Sequence, residues 1–203
     1  MGIDLSSVPV LLDSEPVRAI RCDAGVFEAA SWRPPFYFGD EDFGEPLPEV
    51  SRAMMAGRPA GLDALEGPWH SGARDYGQAE YALDPVRYRS ARDYSERERS
   101  LAYRVVQGDR PFGEHAVATQ GIPWRCSERA FLLEAADVIE ALDEAFVRRE
   151  FSVAEMVALG VYKTRPDDDE GETFARAMGN LRWLARYYRE VAAYGYDLIV
   201  IAD

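Results

Sequence analysis

FARAMGNLRWLARYYREVAAYGYDLIVIAD, residues 174–203, carries the most legible pattern in the chain. Phe174, Ala177, Met178, Leu181, Leu184, Ala185, Tyr188 and Val191 recur at the steps of one face of an amphipathic helix. Arg182, Arg186 and Arg189 fall in its later turns, and Gly195 is a natural stop. YDLIVIAD, residues 196–203, is short, apolar and rich in branched side chains, which predicts a buried strand. Helix, glycine turn and buried strand in succession make half of an α/β unit, so an α/β fold is expected rather than a helical bundle.

Immediately upstream, residues 167–172 hold five carboxylates in six positions. An EF-hand loop needs side-chain oxygens at its first, third and fifth positions, glycine at the sixth and glutamate at the twelfth. With Gly171 at the sixth, Pro166 falls at the first and Ala177 at the twelfth, so the register fails at both ends. Acids ahead of a helix and bases towards its end complement the helix dipole, each by roughly 0.3 to 1 kcal/mol when exposed. The cluster is read as architecture, a cation site being the competing reading.

Working back along the chain, Ser152 and Glu155 predict a capping box for a short helix through Val153, Met156 and Leu159, closed by Gly160. Phe131, Leu132, Ala135, Val138, Ile139, Leu142 and Phe146 predict one long helix from near Ser127. Ser95 and Glu98 predict another capping box, with Leu101, Ala102, Val105 and Val106 on one face of a single helix that stops at Gly108. The first 94 residues are harder to read. VPVLL (8–12) suggests a strand, Ser14-Glu15-Pro16 a helix start, and residues 49–56 a short helix ended by Gly57. Residues 31–48 hold five aromatics and four prolines and read as a long ordered loop, and residues 57–94 as turn-rich.

Length and composition, 203 residues of which 47% are hydrophobic, suit a single globular domain. No apolar run approaches the ~20 residues of a membrane helix, and the N-terminus lacks the basic region of a secretory signal, so a cytoplasmic protein is expected. Met1-Gly2 with Ser6 fits a loose myristoylation pattern, but no polybasic stretch follows to supply a second anchor. Cys22 and Cys126 are too far apart in sequence for a CxxC motif and read as buried thiols of a reduced compartment. Arginine supplies nearly all the positive charge, as in proteins from GC-rich bacterial genomes.

The formal charge of −13 argues against nucleic acid and for a basic protein partner. Between residues 74 and 110, arginines alternate with tyrosines in the manner of a stacking surface, but eight arginines meet seven acids there and the region reads as an ion-paired face. No GxSxG, SxxK, HExxH, Walker or GxGxxG motif occurs. The only imidazoles are His70 and His115, each in a glycine-rich segment, and either is a conceivable general base. A zinc site from both histidines and both cysteines would need four distant segments to converge, so neither metal nor cofactor is expected. Trp32, Phe36, Tyr37, Phe38 and Phe43 either pack down and pin the loop or form a preordered recognition surface. Candidate binding residues are Trp32, Phe36, Tyr37, Phe38, Trp69 and His70.

LAYRVVQGDRPFG (101–113), ERAFLLEAADVIEAL (128–142), FSVAEMVALGVY (151–162) and the helix and strand of 174–201 together resemble, in order and spacing, the YfbM-like family of bacterial proteins. The resemblance covers the C-terminal half, residues 95–203, and leaves residues 1–94 as a divergent elaboration. It implies a three-layer α/β sandwich, a mixed sheet flanked by helices in a single domain, and brings no catalytic residues to carry over. Members often have a Trp-His pair and a further histidine on the helix before the VVQGD-like turn, where this chain has Arg99, Ser100 and Tyr103. The function expected is therefore a non-catalytic acidic module that binds a basic protein. A small-molecule enzyme using His70 or His115 with a nearby carboxylate is the alternative.

Overall fold

The computed structural model describes residues 5–37, 46–65, 75–117 and 121–202. The chain opens with strand β1 (Leu5–Val10) and runs through α1 (Glu15–Cys22), α2 (Ala24–Ser31), α3 (Glu49–Met55) and α4 (Ala60–Asp63). Next come α5 (Tyr76–Leu83), α6 (Pro85–Ser90), α7 (Tyr94–Glu98), α8 (Leu101–Gln107), β2 (Arg110–Pro111) and β3 (Arg125–Ser127). The remainder is α9 (Arg129–Glu140), α10 (Glu144–Glu150), α11 (Val153–Ala158), α12 (Glu170–Ala193) and β4 (Asp197–Ala202). The protein is thus helix-rich, with one small sheet of order β1-β4-β3-β2. All its strand pairs are antiparallel, which corrects the expected mixed sheet. The β1–β4 pairing sets Leu5 opposite Ala202 and joins the two ends of the chain.

Helix α12 forms as its pattern predicts. The Asp169 carboxylate caps it by accepting the Glu172 N–H at 2.8 Å, and Asp168 accepts the Arg165 N–H at 2.9 Å. These acids thus organise the turn into the helix. At the other end Gly195 adopts φ 82°, its N–H bonds the Ala192 carbonyl, and the Tyr196 N–H bonds that of Val191. This paired closure needs a residue with positive φ, which explains the glycine.

β4 is apolar on both faces because both faces are covered. Leu198, Val200 and Ala202 enter a large cluster with α5, α8, α9 and α12, while Ile199 and Ile201 enter a smaller one with Val8, Val10, Val17, Ile20, Trp124 and Cys126. Cys126 is buried as read, but Cys22 is exposed.

Other local readings need correction. Residues 95–107 form two short helices: Ser100 caps α8 by accepting the Tyr103 N–H, whereas Ser95 bonds Asp93, the cap of α7. The helix expected from Ser127 to Phe146 ends at Glu140, and Asp143 starts α10 by accepting the Ala145 and Phe146 N–H groups. Phe146, 39% exposed, is therefore not in the core. Ser152 does accept the Glu155 N–H, but the Glu155 carboxylate turns away to Tyr81 and Arg89, so only half of that box forms. The strand read at 8–12 lies at Leu5–Val10, and the region read as turn-rich contains α5, all of whose residues are buried.

Both sheet edges are blunted. Pro9 has no N–H, its carbonyl accepts from Arg58, and the Ser7 carbonyl accepts from the Tyr187 hydroxyl at 3.3 Å. Arg58 itself is held by Asp63 at 2.8 Å. β2 is two residues long and includes Pro111.

One carboxylate joins three elements: Asp197 accepts the Leu12 N–H after β1 at 3.0 Å and the Arg129 N–H at the start of α9 at 2.7 Å. Asp197→Ala should destabilise the fold by roughly 2 to 3 kcal/mol in urea unfolding, and Asp197→Asn by less, because hydrogen bonds to a charged acceptor are worth more than those to a neutral one.

Candidate functional site

Two constellations carry enough chemistry to be weighed. The first is a buried polar cluster under α7. Glu80, on α5, has a fully buried side chain and receives Arg97 bidentately, Nε at 2.6 Å and Nη2 at 2.7 Å, with Gln107 Nε2 at 2.9 Å. The Arg97 guanidinium lies over the Tyr88 ring, 4.7 Å from its centroid, and the Tyr94 and Tyr103 hydroxyls meet at 2.6 Å. Arg125 extends the cluster by bonding Glu98 at 2.7 Å and the carbonyls of Gly108 and Asp109. Across the same layer, Arg89 joins Glu150 and Glu155, and Glu155 accepts the Tyr81 hydroxyl.

Each carboxylate in this cluster is matched by a guanidinium, and each guanidinium is occupied by a carboxylate, a carbonyl or a ring. Part of the arginine–tyrosine stretch thus folds inward as ion pairs, and a fully satisfied cluster stabilises without offering a free acid or base. Burial pushes the Tyr88 phenol up to about 12, and burial followed by the bond to Glu155 does the same for Tyr81.

The second constellation is a groove of roughly 680 Å³ between α1, α2 and α3. Ala19, Val26, Ala29, Val50 and Ala53 give it an apolar floor and walls, and its charged lining residues among those described are Glu15, Asp23 and Glu49. Each element has a local cause. Pro16 stands in the first turn of α1, where a missing N–H costs nothing, and Asp23 caps α2 through the Gly25 and Val26 N–H groups. Glu15 and Glu49 occupy first turns, where the helix dipole favours negative charge. Among the described residues none of these carboxylates has an ion-pair partner, in contrast to Glu140, Glu144 and Glu170, which arginines neutralise.

The structure separates the aromatic candidates. Phe36 is 7% exposed with its ring 5.0 Å from Trp124, so it belongs to the smaller core cluster and not to an open recognition surface. Trp32, at the C-terminal end of α2, is 53% exposed and meets the Tyr37 ring edge-on at 6.0 Å. Phe38, Trp69 and His70 lie outside the described residues, as does Phe43. His115 is exposed, in the turn between β2 and β3, and among the described residues no carboxylate bonds its imidazole. The groove has no signature in the sequence because α2 has almost no apolar periodicity, though Asp23 ahead of AGVFEAAS is a helix-start signal.

No protein-family profile and no curated protein matches the chain. Its structure is similar to the crystal structure of YfbM from Escherichia coli, a protein of unknown function, with a TM-score of 0.50 and 17% identity over 63% of this chain and 76% of that one. That share of this chain is larger than residues 95–203 make up, so the likeness reaches into the first 94 residues and is not confined to the C-terminal half. At this identity the likeness is one of fold.

Glu80→Gln should cost about 3 kcal/mol or more in denaturant unfolding because it strands Arg97, whereas Glu80→Leu combined with Arg97→Met should recover most of the loss. The tyrosines set an alkaline limit. A phenol whose folded pKa of about 12 exceeds the ordinary value of 10.0 binds its proton more tightly when folded. Its contribution is therefore intact below about pH 10 and lost as pH rises towards about 12. The urea midpoint should stay level from neutrality to that point and then fall, less steeply in Tyr88→Phe.

Proposed function

We propose that this chain is a non-catalytic, acidic, cytoplasmic module that binds a basic protein. The observation carrying the proposal is the α1–α3 groove, apolar at its floor and acidic in every charged lining residue among those described. Apolar area excluded from water supplies affinity, and surrounding charge of one sign steers an opposite partner and rejects like-charged ones. The chain has 36 acids against 23 lysines and arginines, and Asp40, Glu41, Asp42 and Glu45 precede α3 in the sequence with no base among them. On this reading Trp32 and Tyr37 border the interface as aromatic contacts, and Phe36 holds their segment down from the core. Residues 1–203 are taken as one YfbM-like domain, whose apolar clusters on the two faces of the sheet support a three-layer arrangement of helix, sheet and helix.

Affinity capture from a bacterial lysate at two ionic strengths, with the captured protein then purified and titrated, tests the proposal. A basic protein should bind at low salt, weaken as the Debye length shrinks, and weaken again when Glu15→Gln and Glu49→Gln are combined. A purified partner of neutral or acidic charge whose affinity ignores both changes would overturn it.

A further inference from the structure

The described surface offers the usual peptide-recognition modes unequally. Adding a strand to the sheet requires a free edge, but at β1 the carbonyls of Ser7 and Pro9 are occupied by Tyr187 and Arg58, and Pro9 has no N–H to give. β2 offers two residues, one of them Pro111. A proline-rich segment seeks a groove walled by aromatic rings, and a phosphorylated one seeks arginines. Among the described residues the α1–α3 groove is lined by neither ring nor cation.

What it has fits the remaining mode. Its walls are helices, with α1 and α2 each eight residues, or ~12 Å, long. Alanines 19, 29 and 53 and Gly25 keep those walls low, so a further helix can approach closely and insert its larger side chains over Val26 and Val50. Glu15, Asp23 and Glu49 contribute charge from all three elements.

We propose that the α1–α3 groove receives an amphipathic helix of the partner, with an apolar stripe seated on the alanine-lined floor and arginines or lysines on its flanks facing Glu15, Asp23 and Glu49. This rests on the reading that the partner is basic and adds the shape of the recognised segment. The cations supply ion-pair partners that these carboxylates lack among the described residues, and the large side chains fill the space left above the alanine and glycine walls.

A synthetic peptide of about 14 residues, with leucines at i, i+3, i+4 and i+7 and arginines on both flanks, is the probe, titrated into the full chain at low salt and monitored by calorimetry and circular dichroism. The comparison peptide has the same composition in an order with no stripe. Two exposed wall positions provide variants: Ala53→Trp fills the groove, and Ala29→Lys sets a positive charge against the ligand. The striped peptide should bind with a gain of helicity, the comparison peptide at least about tenfold more weakly, and each variant should weaken the striped peptide by a similar factor. Equal binding of the two peptides would overturn the helical mode while leaving a basic partner in place. Unchanged affinity in both variants would overturn the location. Failure of both basic peptides to bind at low salt would overturn this inference and the proposed function together.

Discussion

Strand β4 is the constraint on which the rest of the structure depends. It lies between β1 and β3, and its alternate residues supply two different cores, Leu198 and Val200 on one face, Ile199 and Ile201 on the other. A strand apolar on both faces has no solvated side, so helices must cover each, and the segments that do so come from opposite ends of the chain. The Gly195 turn delivers β4 from α12, and Asp197, its first residue, gathers the end of β1 and the start of α9. One short segment thereby sets the register of the sheet and anchors the elements on both sides.

Charge is distributed unevenly over this frame. On the side of α5 to α12 the arginines are spent internally: Arg97 on Glu80, Arg125 on Glu98, Arg89 on Glu150 and Glu155, Arg189 on Asp137 and Glu140. Arg189 and its acids are exposed, but Glu80 is fully buried, and a pair of that kind costs heavily when one partner is lost, so Arg97 holds α7 against the core. On the side of α1 to α3, Glu15, Asp23 and Glu49 have no such partner among the described residues around an apolar floor. The overall negative charge therefore has a local expression, and it coincides with an apolar groove.

Local rules were readable where a signal and its partner lie within a turn or two. The stripe of α12, the Gly195 stop, the Ser152 cap and the proline-led start of α1 all formed as their residues predict. The misreadings arose where a side chain had a distant competitor. Glu155 left its expected cap for Tyr81 and Arg89, and the helix expected to run through Leu142 broke where Asp143 offered a new start. α5 was illegible for a different reason: a helix buried all round shows no polar face, and its glutamate and glutamine read as surface residues until Arg97, Gln107 and Arg176 are seen to satisfy them.

Trp32 and Phe36 mark the boundary. Both sit in one aromatic, proline-rich stretch and no periodicity separates them, yet Phe36 packs on Trp124 while Trp32 faces outward. The residues by themselves determined the Ser152 cap, the Gly195 stop, the α12–β4 unit and the acidic balance, because each depends on composition or on chain geometry over a few positions. Tertiary structure alone decided the antiparallel order of the sheet, which carboxylates are neutralised and where a groove opens. Those outcomes depend on residues as far apart as Leu5 and Ala202 competing for the same neighbours, and no local pattern encodes the result of that competition.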